Sequence, residues 1–490
     1  MAISFNQIPA SVRLPWVYVE FDGTKAVSGS AVQPYKVLLV GCKTTAGSQA
    51  LETPARITSP AQAKNLFGTG SILHGMAQRY FQQNDSIETW AVAVAEPGAG
   101  VAATGTVVIG GTASVSGTIN LYIAGRRVQI PVTAGDATTA IATAASAAIN
   151  AVTDMPVVAT VSSSTVTLTA RHKGVYGNEI DIRLNVYGES LPGTITATIT
   201  AMASGSGAPT LTTLFAALGE THYNLWAWPF TDSASLVALE TELPARSGPL
   251  KQIDSVAFIA KSDTYANMAT FGAARNSEFV CCAATQKSPT PTYEYAAAIV
   301  GQVALAAQID PALPFRTLPL YGVIPPKQTD RYTSSERNLL LYDGISALSV
   351  DAGGVVRIEY LITMYQTNPL GAEDVAYLSL NTILTLSYLR YDFRNTFLTK
   401  YGRHKLANDG IRIGEGQKIL TPKLAKSEIV AMFTRWEERG LVENSEKFKE
   451  NLIVERNTQD VNRLDCLLPP DLVNQLLVVG AQIQFRLQEQ

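Results

Sequence analysis

Lys36-Val37-Leu38-Leu39-Val40-Gly41 sets four consecutive large apolar residues between a lysine and a glycine, and this run points to the fold class. A strand with one wet face alternates polar and apolar side chains, whereas an uninterrupted run marks a strand covered on both faces. Such strands belong to sheets flanked by helices, so helical segments should follow. Ser59-Pro60 opens the first of them, because serine can accept from orphan amides and proline fits the first helical position. That helix runs towards Phe67, a second covers Ile72 to Phe81, and Ile87 to Ala95 is the next strand.

The same alternation resumes far downstream. Tyr223–Phe230, Ser255–Ala260 and Phe279–Ala284 read as strands, separated by helices at Ala234–Leu243, Tyr265–Arg275 and Tyr293–Ala307, with a helix at Leu211–Leu218 before them. Strands joined by helices of this length imply right-handed crossovers and a mainly parallel sheet. Leu318–Val323, Ile345–Val350 and Val355–Thr363 add strands around a short helix at Ser334–Leu341.

Between these halves, from about Pro97 to Gly207, charge thins out and Thr, Ala, Val, Ser and Gly dominate. Short β-branched runs at Thr106–Ile109, Thr118–Ile123, Arg127–Val132, Val157–Val161, Thr165–Ala170 and Glu179–Val186 surround one Ala-rich helix, Asp136–Val152. Glycine-rich flanks at 96–100 and 203–207 read as linkers. The fold class expected is therefore α/β, a mainly parallel sheet core with a β-rich inserted domain. The boundaries are 34–97 and 208–368 for the core and 98–207 for the insertion. Past Pro369 charge rises, and helices at Ala372–Lys405 and Ala425–Arg439 with a final strand give an α+β C-terminal domain, 369–490.

Both ends carry strand patterns without a local mate. Residues 1–33 form an N-terminal arm in which Trp16, Val17, Tyr18, Val19 and Phe21 lie in a strand, after the leader Ile3–Pro9. At the other end Val479, Ala481, Ile483, Phe485 and Leu487 share one face, with Gln482, Gln484 and Arg486 on the other. Period-2 alternation marks a half-buried strand, and an unpartnered strand invites pairing between chains. These two segments are the expected inter-subunit arms.

Chemistry is sparse. Gly41-Cys42-Lys43-Thr44 follows a strand but has cysteine where a phosphate loop needs glycine. Gly344-Ile345-Ser346-Ala347-Leu348 is no nucleophile elbow. His74, His172, His222 and His404 have no metal-ligand spacing, and His222 has no nucleophile to serve. Cys42, Cys281, Cys282 and Cys466 show no redox or metal pattern, and Cys281-Cys282 read as small hydrophobes in a strand. The expectation is no enzyme, no cofactor and no metal. The runner-up enzyme reading, an α/β hydrolase with a binding module, lacks its nucleophile. A surface adhesin or a structural virion protein would share the Thr-rich insertion.

At 490 residues and 46% hydrophobic, the chain can bury a large core. A net charge of -3 gives no global attraction to nucleic acid or anionic membranes. The Ala-rich run 296–307 falls short of the roughly 18 apolar residues that span a bilayer, so no stable membrane insertion is expected. The start, Met1–Asn6, lacks a secretion signal, which suggests an intracellular product. Positive charge gathers at Arg390, Arg394, Lys400, Arg403 and Lys405, locally opposed by Asp392 alone. Arg390 and Arg394 share a helix face at i, i+4 and suit an acidic protein surface.

The leader Ile3–Pro9, the strand from Pro15 to Phe21, Lys36–Gly41 and the insertion bearing Gly174-Val175-Tyr176-Gly177-Asn178-Glu179-Ile180 together resemble contractile tail sheath proteins of Mu-like phages and prophages. The resemblance spans essentially the whole chain and rests on the order and character of segments. It implies a core subtilisin-like in shape only, an outward-facing insertion and a C-terminal domain near an inner tube. It further implies a helical homopolymer in the virion tail, assembled in the host cytoplasm, with tail tube, baseplate and tail terminator proteins as partners. On this resemblance the arm role falls to Trp16–Phe21 and Val478–Leu487, and tube docking to Arg390, Arg394 and Lys400.

Overall fold

The structure, a computed structural model, describes residues 33–412, 414 and 416–487. The expected strand holding Trp16, Val17, Tyr18, Val19 and Phe21 lies outside the described residues. The chain divides into two compact units, one of Pro34–Ser387 with the C-terminal segment from Asn474, the other containing Tyr388–Val473.

In the larger unit the opening run forms the strand Lys36–Cys42, buried from Val37 onward. It sits inside an eight-stranded sheet in the order Val356–Tyr360, Ile345–Val350, Val280–Ala284, Val256–Lys261, Leu225–Ala227, Lys36–Cys42, Glu88–Val94, Ala55–Ile57. Every pairing is parallel except at the two edges. The mainly parallel core is thus present, and its crossover helices occur where the apolar periodicity puts them. Ser59 Oγ accepts from the Gln62 amide at 3.2 Å and Pro60 opens the helix Pro60–Phe67. The helix Thr292–Ile309 is buried along most of its length because it packs against both the sheet and the helix Ile72–Gln83.

Leu318–Val323 is not a strand: only an isolated bridge, Pro319 to Arg357, joins it to the sheet edge. Leu318 and Leu320 make the cross-strand bonds on either side of that bridge, and positive φ at Thr317 (+69°) and Gly322 (+75°) turns the backbone away before the pairing can lengthen. Tyr223–Phe230 is cut to Leu225–Ala227, although its flanks stay buried.

The insertion carries its own sheets. Thr196–Ala203, Ala102–Gly110, Thr165–Lys173 and Val157–Ser162 form one antiparallel sheet, and Arg126–Val132, Gly117–Ile123 and Ile182–Leu184 form another. Thr196–Ala203 is a strand that the apolar pattern does not announce. Glu179–Val186 shrinks to Ile182–Leu184, preceded by a 3-10 turn at Val175–Glu179. The helix Thr138–Ala151 packs beside these strands, and the apolar core of the insertion is separate from that of the sheet.

In the second unit the helix Pro422–Glu438 buries Ile429, Met432, Phe433 and Trp436, and Phe433 stacks on Phe448 with ring centroids 4.0 Å apart. The long helix expected from Ala372 begins only at Leu380 and ends at Tyr401. Asn368 and Gly371 turn the chain there, and bridges Thr367–Glu373 and Ile362–Ser379 hold the segment before it extended. A hairpin, Ile453–Arg456 with Leu464–Leu467, has no further strand on either outer edge among the described residues.

Candidate assembly surfaces

The C-terminal segment, expected from its alternation to be a strand, forms no ladder among the described residues. Asp471–Leu472 pairs briefly with Val442–Glu443, and from Val473 to Leu487 no strand is formed. In the larger unit Ser379 Oγ donates to Gln475 Oε1 at 3.2 Å and Arg316 Nη1 donates to the Leu477 carbonyl at 3.0 Å. Beyond that point the described residues offer Val478–Leu487 no hydrogen bond. Val479 is 75%, Ile483 87%, Phe485 79% and Leu487 91% exposed, and Ala481 is exposed too. A row of large apolar side chains on unpaired backbone leaves both its amides and its hydrophobic surface unused.

The basic helix is more ordered than its sequence implies. Arg390 and Arg394 are exposed one turn apart, and Leu398, 62% exposed, continues the same i, i+4 row. Asp392 does not oppose them at the surface. It is buried and accepts from the Trp436 indole nitrogen at 2.7 Å, so its charge is spent inside the unit. Lys400 is engaged, donating to Glu428 Oε2 at 2.5 Å. Burial works to raise the Glu428 carboxyl, but hydrogen bonds from Lys400 and Tyr401 outweigh it and hold the group below its ordinary value. Elsewhere in the unit, Arg439 hydrogen-bonds the Tyr388 hydroxyl and lies 4.6 Å from its ring centroid.

Residues with chemical potential are consumed structurally. Ser346 Oγ donates to the Ile362 carbonyl at 3.0 Å inside the sheet, with Cys281 Sγ 3.3 Å away. Burial pushes the thiols of Cys42 and Cys281 up to about 12. His222 Nε2 sits 2.6 Å from the Asp254 carbonyl. Among the described residues no His, Cys, Asp and Glu group could hold a metal ion, and no helix is long and apolar enough to cross a membrane.

The described residues thus comprise an eight-stranded, mainly parallel core, a β-rich insertion and an exposed apolar C-terminal segment. Three family models match in succession: phage tail sheath protein beta-sandwich domain over residues 98–214, phage tail sheath protein central domain over 204–364, and phage tail sheath C-terminal domain over 372–486. The chain belongs to the phage tail sheath family, whose members are structural proteins and not enzymes. It is 45% identical over 486 residues to the Mu-like prophage FluMu tail sheath protein of Haemophilus influenzae, covering 99% of this chain and 100% of that one.

Solved structures agree on the fold. The sheath tail protein of Desulfitobacterium hafniense aligns with a TM-score of 0.51 at 14% identity, over 94% of this chain and 97% of that one. The sheath tail protein Lin1278 of Listeria innocua aligns with a TM-score of 0.50 at 13% identity, over 91% and 94%.

Proposed function

We propose that copies of this chain polymerise helically around a tail tube through exchanged terminal strands, and that the sleeve contracts to drive the tube through the host envelope. The observation that carries this reading is Val478–Leu487, whose apolar face and main-chain groups find no partner among the described residues. The hairpin Ile453–Arg456 and Leu464–Leu467 supplies an acceptor, since its outer edges are open among the described residues. Adding a strand there in a neighbouring copy satisfies main-chain groups while Val479, Ile483, Phe485 and Leu487 leave water. Each large side chain gains about 1.5–3 kcal/mol on burial, so the four supply roughly 6–12 kcal/mol gross before ordering costs are subtracted.

Contacts of this kind are heterologous and do not close, which generates a helix of identical copies. Tethers of extended backbone tolerate large rotations, so the α/β cores, subtilisin-like in outline, repack as rigid bodies during contraction. Domain roles follow the order of segments, with 1–33 and the end of 369–490 as arms, 34–97 and 208–368 as core and 98–207 facing outward. Arg390 and Arg394, with Lys400 beside its Glu428 partner, dock on the tube. Baseplate rearrangement triggers contraction and a terminator closes the far end. The particle is assembled in the host cytoplasm and resides in the virion tail.

Removing Leu477–Gln490 tests the reading. The truncated protein should be folded and monomeric by sedimentation, with no tubes in negative-stain micrographs. Normal sleeves from the truncation count against arm exchange.

A further inference from the structure

The insertion meets the core through one aromatic plug and a ring of charged pegs. Tyr176 is the insertion side chain that enters the buried apolar cluster of the core. Its ring lies 5.5 Å from that of Phe230, and its hydroxyl is 3.2 Å from Cys42 Sγ. Around it the contacts are polar. Arg126 of the insertion binds Glu294 of the core at 3.0 Å and Asp154 of its own domain at 3.1 Å, while Arg79 holds the other Glu294 oxygen at 2.5 Å. His172 Nδ1 is 2.5 Å from Glu96, and its Nε2 accepts from the Ile72 amide at 3.3 Å. Glu179 accepts from Thr292 at 2.6 Å, and Arg183 donates to the Lys287 carbonyl.

We propose that this seam is a release joint, at which the insertion undocks from the core as an intact folded domain. Buried ion pairs return little net stability because each charge regains its hydration when the pair separates, so such a seam opens far more cheaply than an apolar one. Neither apolar core needs to be breached apart from withdrawal of Tyr176. The two crossing strands supply the hinge. Val101 and Ser206 exchange backbone hydrogen bonds at 3.0 and 3.1 Å, and Gly98, Gly100, Gly205 and Gly207 surround that bridge. Rotation about this paired ribbon lets an outer domain change its attitude while its core stays fixed in a lattice.

Hydrogen exchange on full-length Y176A and R126Q decides the matter. The Ile72 amide, held across the seam by His172, should exchange at least about tenfold faster in each variant. Leu121 and Leu168 inside the insertion, and Leu38 and Ile259 inside the core, should keep their protection. Parallel loss at Leu121 and Leu168 overturns the proposal, because the insertion then unfolds as it leaves. Unchanged exchange at Ile72 in both variants overturns it as well. If Y176A does not fold, R126Q alone supplies the answer; failure of both to fold shows that the cores depend on the seam and also overturns it.

Discussion

Replacing both Ile483 and Phe485 by alanine separates folding from assembly. The two side chains are 87% and 79% exposed, so in the isolated chain they contribute almost nothing to stability. Surface changes of that kind stay within about 0.5 kcal/mol. If the segment becomes a half-buried strand in a neighbour, the same truncations remove roughly 2–5 kcal/mol for isoleucine and 3–5 kcal/mol for phenylalanine. Discounting by about half for partial burial at a sheet face leaves about 2.5–5 kcal/mol per subunit contact. Each 1.4 kcal/mol is about tenfold in an equilibrium constant, so the concentration at which tubes form should rise by roughly two orders of magnitude or more. Sedimentation across a concentration series reads that shift, and thermal unfolding of dispersed protein provides the control. A melting temperature lowered by several degrees with unaltered tube formation would rule out exchange between copies, because the segment would then be folding against its own chain.

Charge reversal at Arg390 and Arg394 should weaken tube-dependent assembly, most visibly at low salt where exposed charges are least screened; co-sedimentation with tubes over a salt series checks it, and salt-independent binding removes these residues from the tube face. Glu428 should confer acid sensitivity on the C-terminal unit. Its folded-state carboxyl lies below the ordinary value, so its contribution is complete above the unfolded range of about 4.3 and disappears as pH falls through the lower folded value. Urea midpoints measured against pH should therefore flatten on their acid limb in E428Q. Gly272→Ala should destabilise the core by about 1–3 kcal/mol or more, since a methyl group there would sit 2.0 Å from the Asp343 carbonyl oxygen; a denaturation midpoint equal to wild type would show that the helix Tyr265–Ala273 has room to shift.

The parts of the fold legible in sequence are those where one strong local signal agrees with its tertiary setting. Val37–Gly41 is uniformly apolar because both faces of its strand are covered, and Ser59-Pro60 caps a helix through its own atoms. Leu318–Val323 differs from its strand pattern because burial of Leu320 and Val323 in a loop leaves the same apolar trace as a strand, while positive φ at Thr317 and Gly322 limits the pairing to one bridge. Thr196–Ala203 escaped because Thr196, Thr198 and Thr200 line its outward side and one of its inward positions is only alanine. At the candidate assembly surfaces, the apolar alternation of Val479–Leu487 and its exposure are legible locally, because no distant residue covers it among the described residues. Asp392 was not, because its pairing with Trp436 spans 44 positions and is created by helix packing. The lysine at 400 likewise looked available until Glu428 was brought beside it from the next long helix.

Hydrogen exchange of the amides from Val479 to Leu487, compared between assembled sleeves and dispersed protein, tests arm exchange most directly. These amides should exchange at near-unprotected rates when the protein is dispersed and become strongly protected in the sleeve, where a neighbour's hairpin accepts them. Equally rapid exchange in both states, or protection already present in the dispersed chain, would contradict the account.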